Sequence, residues 1–137
     1  MVKKITKPEK ENAEFDFRTI TGFKEACESE NIDSDQLPGV DNIPEEFRKP
    51  IIAVYKLMVA TKAVNKDFKV DYTNRNQSKH FPVARVLPSG SGFDFADSCS
   101  CYVNSYTAVG SRLLSEDDEK AMHLFKNFEE EYKDWFL

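Results

Sequence analysis

Apolar residues recur along this chain with two different periods, and the change of period marks out its elements. From Ile51 to Asn65 they fall three and four apart. Ile51, Ile52, Val54, Tyr55, Met58 and Val59 form a wide face that leaves Lys56 and Lys62 outside it. So wide a face predicts a central helix buried on more than one side. Ala121, Leu124, Phe125, Phe128, Tyr132, Trp135 and Phe136 repeat the same steps and predict one C-terminal amphipathic helix. Ser115, ahead of the acidic turn Glu116-Asp117-Asp118-Glu119, is its expected N-cap. A shorter helix is expected over Gly22 to Glu30, capped by Thr21, with Phe23, Ala26 and Cys27 on its inner face.

Between the central and terminal helices the period drops to two. Phe68, Val70 and Tyr72 alternate with charged residues and predict a short strand. Phe81 to Leu87 predicts a second, with Pro82 at its start or edge. Ser89-Gly90-Ser91-Gly92 turns the chain back at Phe93. Cys99, Cys101 and Val103 then point one way and Tyr102, Asn104 and Tyr106 the other. A further strand is expected over Tyr106 to Leu114, with a bulge at Gly110. The fold class predicted is therefore α+β: a small antiparallel sheet over residues 68–114, packed with an internal helix pair and a C-terminal amphipathic helix. Phe125, Phe128 and Trp135 are expected to close the core, and Cys99 and Cys101 to line it.

Punctuation divides the rest. Residues 1–20 read as a flexible lysine-rich tail with one short edge strand around Phe15 and Phe17, and residues 21–137 as a single globular domain. Asp33 to Ile43 is a loop. Pro44 suits the first position of a helix, with Glu45 and Glu46 at its positive end. Pro50 leaves two readings: a turn that ends near Arg48 before a new helix, or one helix kinked at the proline.

Charge sharpens this picture. The chain has 137 residues and a formal net charge of −5. Residues 14–47 hold ten acidic against two basic residues, and residues 48–90 hold nine basic against two acidic. A basic middle between acidic flanks suits an anionic partner, or else the segments neutralise one another across the fold. No apolar run is long enough for a membrane span and no secretory signal opens the chain, so no membrane role is expected. Three cysteines without a framework spacing fit a reducing compartment, with host cytoplasm or virion as the expected location.

Little of this chemistry is catalytic. Cys99-Ser100-Cys101 has ligands one residue apart where zinc pairs are spaced by two to four, so no metal site is expected. His80 and His123 are the only histidines, and no phosphate-loop, dinucleotide or metalloprotease motif accompanies them. No enzyme activity and no cofactor are expected. Recognition chemistry gathers instead in Tyr72, Asn74, Arg75, Asn76, Lys79, His80 and Arg85, which combine cations, amides and an aromatic. Arg112, beside Gly110 and Ser111, offers a planar fork for a phosphate or carboxylate, or else an ion pair with Glu116 or Glu119. The expected binding residues are thus Tyr72, Arg75, Lys79, His80, Arg85 and Arg112. A protein partner is the first reading and a nucleic acid or nucleotide the alternative.

The succession Gly22-Phe23-Lys24-Glu25-Ala26-Cys27, Leu37-Pro38, Tyr55-Lys56-Leu57, Lys79-His80-Phe81-Pro82, Val109-Gly110-Ser111-Arg112-Leu113 and Tyr132-Lys133-Asp134-Trp135-Phe136-Leu137 resembles a family of small proteins from phages and prophages of gut bacteria. The resemblance spans residues 22–137, and Val-Gly-Ser-Arg-Leu ahead of the last helix is its most specific part. It implies a phage setting and carries no known catalytic residue. With no catalytic motif in the chain, the expected function is that of a phage-encoded, non-catalytic binding or interaction protein. This chain has His80-Phe81-Pro82-Val83-Ala84 where such proteins have Tyr-Tyr-Pro-Trp-Phe.

Overall fold

The computed structural model describes residues 14–137. Among them, four α-helices pack with one two-stranded antiparallel sheet, an α+β fold as expected. The order is α1 (Phe23–Ser29), α2 (Glu45–Asn65), β1 (Lys79–Val86), β2 (Phe93–Val103), α3 (Asp118–Asn127) and α4 (Glu129–Phe136).

Residues 16–20 of the expected tail belong to the folded structure, and residues 1–13 lie outside the described residues. Asp16 caps a 3-10 helix, Phe17–Thr19, by accepting from the Arg18 amide, where a strand was expected. The turn seats Ile20 in the core and sets the Phe17 ring edge-on to His123. His123 Nε2 donates to the Ile20 carbonyl at 2.7 Å, so the last helices hold this segment down. Gly22, in an extended conformation, replaces Thr21 as the cap of α1, which buries Ala26 and Cys27. At its far end Asn31 takes φ +54°, and the Ile32 amide turns back to the Cys27 carbonyl.

One helix runs through Pro50. The proline sits early in α2, and the carbonyl that loses its amide belongs to exposed Glu46, which water can satisfy. Arg48 donates to the carbonyls of Ile43 and Asp41 and ties the preceding loop to the helix start. α2 packs on α1, α3 and α4 as a central helix, but the residues it buries are Ala53, Leu57, Val59, Ala60, Ala63 and Val64; of the expected face only Val59 is among them, and Ile51 is exposed.

No strand forms at Phe68–Tyr72. The Gln77 carboxamide takes the place of a pairing strand: its Oε1 accepts from the Asp71 amide and its Nε2 donates to the Lys69 carbonyl. With those groups satisfied by one side chain, the segment needs no ladder. The sheet is the hairpin alone, with Phe81 opposite Cys101 and Val83 opposite Cys99. The ladder is irregular between Val83 and Arg85, where Ser98 Oγ accepts from the Arg85 amide and donates to the Asp94 carbonyl. Tyr106–Leu114 is not a strand either. Gly110, at φ +78°, leads into a 3-10 helix, Ser111–Leu113, and only Ser115 reaches the sheet, exchanging backbone hydrogen bonds with His80.

Ser115 is therefore a bridge residue, and the helix cap is Asp117, which accepts from the Lys120 amide. The single C-terminal helix expected is two, broken at Phe128 (φ −119°, ψ +37°). The break lets Phe125, Phe128 and Tyr132 all turn inward, each almost wholly buried, with Trp135 half-buried behind them. Phe125 stands 5.0 Å from the rings of Phe93 and Phe95 and 5.3 Å from Tyr132, ring centre to ring centre. That contact joins the turn end of the hairpin to the helices. Cys99, paired with the exposed Val83, and Cys101 lie where the hairpin is uncovered, so they are exposed and do not line the core.

Candidate functional site

Five of the six residues expected to bind fall into three places, and Arg85 stands apart from all of them. Lys79 is fully buried at the start of β1. Its ammonium donates to the carbonyls of Gln77 and Asn104 and, more weakly, of Asn74, and stands 5.6 Å from the centre of the Tyr72 ring. Three carbonyls use its three protons, and the aromatic face takes up charge on the remaining side. Lys79 and Tyr72 thus do come together, but as an internal clamp joining the 71–77 turns to the end of β2.

Turn chemistry builds the cage. Asp71 accepts from the Thr73 hydroxyl and amide, and the Asn74 and Gln77 amides close successive turns. The Thr73 hydroxyl holds the Asp71 carboxyl below the usual carboxylate range, with the Thr73 amide and, more weakly, the Lys79 charge adding to it. Within the cage Tyr72 Oη and Asn104 Oδ1 are buried without a protein hydrogen-bond partner.

Arg75 lies outside the cage, on a concavity of about 400 Å³ lined by Tyr102, Asn104, Ser105 and Tyr106. Tyr102 is 65% exposed and Tyr106 82%. His80 supports this surface: its ring lies 5.9 Å from that of Tyr102, and its Nδ1 is 3.1 Å from Ser100 Oγ. Tyr102 and Tyr106 were not singled out as site residues, because alternation on a strand gives their direction and not their exposure. Arg85 projects at the irregularity of the hairpin, away from this group.

Arg112 belongs to a third place, a hollow between α2 and the turn Ser111–Leu113. The ion pair with Glu116 or Glu119 does not form, since Glu116 pairs with Lys120 and Glu119 with Arg18. The hollow adjoins a strained backbone. Lys66, the residue after α2, holds φ +42° and ψ −107°, and its ammonium reaches Ser29 and Glu30.

The basic cluster read from the sequence is thus divided: Lys79 is consumed internally, and Arg85 and Arg112 stand apart from Arg75. Among the described residues, no three His, Cys, Asp or Glu side chains gather as metal ligands, and no helix is long and apolar enough to cross a membrane. No family model, no curated protein and no solved structure matches this chain.

Proposed function

We propose that this is a phage-encoded, non-catalytic binding protein, acting in the host cytoplasm or virion, that engages a protein partner through the Tyr102–Tyr106 surface. The observation that carries this reading is two highly exposed tyrosines flanking Arg75 in one concavity. Tyrosine and arginine are the residues that supply most binding energy at protein interfaces, through large contact area with a polar end. The surface is built for rigidity beneath: Lys79 fixes the Asn104 carbonyl, and His80 backs Tyr102.

A nucleic-acid surface draws on several cations along one path, because affinity comes from neutralised phosphates. Here Arg75 is the one strong cation among the residues that line the concavity. That favours the protein partner over the alternative.

The test is affinity capture from phage-infected host cells, with the wild type beside a triple variant, Arg75→Ala, Tyr102→Ala and Tyr106→Ala. A specific partner held by the wild type at about 0.3 M salt, where exposed charge pairs are screened, and lost by the folded triple variant is the expected result. A gel shift of single-stranded DNA or RNA that disappears in the same variant and falls steeply with salt would replace this reading with the nucleic-acid one.

A further inference from the structure

We infer that the hollow at Arg112 is a binding site for a small organic anion with an apolar body. This goes beyond the partner surface above and shares none of its residues. The hollow encloses about 490 Å³ between the C-terminal half of α2, the segment after it and the Ser111–Leu113 turn, a volume suited to a small molecule. Its walls are apolar, with Tyr55, Met58, Phe68 and Val70 giving an aromatic and aliphatic lining.

The charge on that lining is one-sided. Lys62, Lys66, Lys69 and Arg112 border the hollow and no acidic residue does. Glu30 accounts for the first two, at 3.8 Å from Lys62 and 3.3 Å from Lys66. Among the described residues Lys69 and Arg112 make no ion pair, so two cations remain for a ligand beside an apolar wall. A third polar group points the same way. Thr61 lines the hollow, is 3% exposed, and has an Oγ1 with no hydrogen-bond partner. A buried hydroxyl left unpaired in a protein is a cost that a ligand's polar atom removes.

Apolar walls with two unpaired cations and an unpaired hydroxyl select a ligand with one anionic end and a hydrophobic remainder. A carboxylate and a phosphate ester share this chemistry. Residues 1–13 carry four lysines against two glutamates, a charge that opposes the basic rim, so they are the wrong occupant.

The experiment is a fluorescence titration of the full chain with anilinonaphthalene sulfonate, an aromatic anion, followed by displacement with decanoate, adenosine monophosphate and uncharged decanol. Saturable binding of one probe per chain is expected. Arg112→Glu and Lys69→Glu, both exposed and able to fold, should each weaken it at least about tenfold through charge reversal. Thr61→Val should weaken it about threefold, and Tyr102→Ala should leave it unchanged. Displacement by decanoate but not by the nucleotide identifies a carboxylate site, and the reverse identifies a phosphate site. Equal displacement by decanol, or full probe affinity in a folded Arg112→Glu variant, would overturn the inference. So would a rise in probe affinity on removal of residues 1–13 that Arg112→Glu does not reduce, since the hollow would then belong to the chain's own segment. Failure of the wild type to capture a protein partner, with probe binding intact, would sink only the earlier proposal.

Discussion

Asn65 and Ser115 join the central helix to the sheet. Asn65 Nδ2 donates to Ser115 Oγ at 3.1 Å and to the Thr61 carbonyl at 2.9 Å, while its Oδ1 accepts from the Glu116 amide at 2.9 Å. Ser115 in turn exchanges two backbone hydrogen bonds of 2.8 Å with His80 at the start of β1. Both side chains are buried, so water does not replace what either one supplies.

Asn65→Ala leaves the Ser115 hydroxyl and the Glu116 amide without this partner and should cost about 2–3 kcal/mol of stability. Ser115→Ala should cost less, because its backbone bridge to His80 survives. In a double-mutant cycle by urea unfolding the two losses should be less than additive. Additive losses would show that the two residues act independently.

The Lys79 cage makes a second demand. Lys79→Met keeps the length and apolar stem of the side chain but strands the Gln77, Asn74 and Asn104 carbonyls, which should cost about 2–4 kcal/mol. Lys79→Arg should not restore stability, since a planar guanidinium differs in shape from an ammonium held by three carbonyls. A role in contacting an external anion predicts the opposite: a stable Lys79→Met protein with weakened binding. Equilibrium unfolding of the two variants separates these outcomes.

The elements legible in the sequence are α1, α2 and the helical C-terminus, whose apolar steps follow burial, and the hairpin, which its Ser89-Gly90-Ser91-Gly92 turn marks. Where one side chain satisfies backbone groups, periodicity misleads. Phe68, Val70 and Tyr72 alternate like a strand, yet Gln77 provides the pairing. The break at Phe128 was hidden because Phe125, Phe128 and Tyr132 keep three- and four-residue steps across it. Lys79 was legible as a cation but not as a clamp, since the carbonyls of Asn74 and Asn104 meet only after the hairpin closes. Arg112 was found from its neighbours Gly110 and Ser111, whereas Thr61 gave no signal inside an apolar helix face.

The 71–77 turns should loosen at acid pH. The folded-state pKa of Asp71 lies below its ordinary 3.8, chiefly through the hydrogen bond from the Thr73 hydroxyl. Its ionised form therefore favours the fold above 3.8, and that contribution is lost as pH falls through the lowered value. An NMR titration of the Asp71 carboxyl carbon should give a midpoint below 3.8, and Thr73→Val should move it upward. An unshifted midpoint in the wild type would remove Asp71 as the organiser of these turns.

The three cysteines should divide two to one. Cys99 and Cys101 are exposed on β2, and Cys27 is buried on the inner face of α1. Burial pushes the Cys27 thiol up, so both access and ionisation oppose its reaction. Partial desolvation, with the Cys99 thiol nearby, also raises Cys101, so its labelling should speed up as pH rises. Maleimide treatment of the native protein followed by mass spectrometry should show two additions, with the third appearing only in denaturant. Prompt native labelling of Cys27 would mean that α1 is not held against the core, and protection of Cys99 and Cys101 would mean that their part of the hairpin is covered. The expected burial of the Cys99–Cys101 pair would then hold after all.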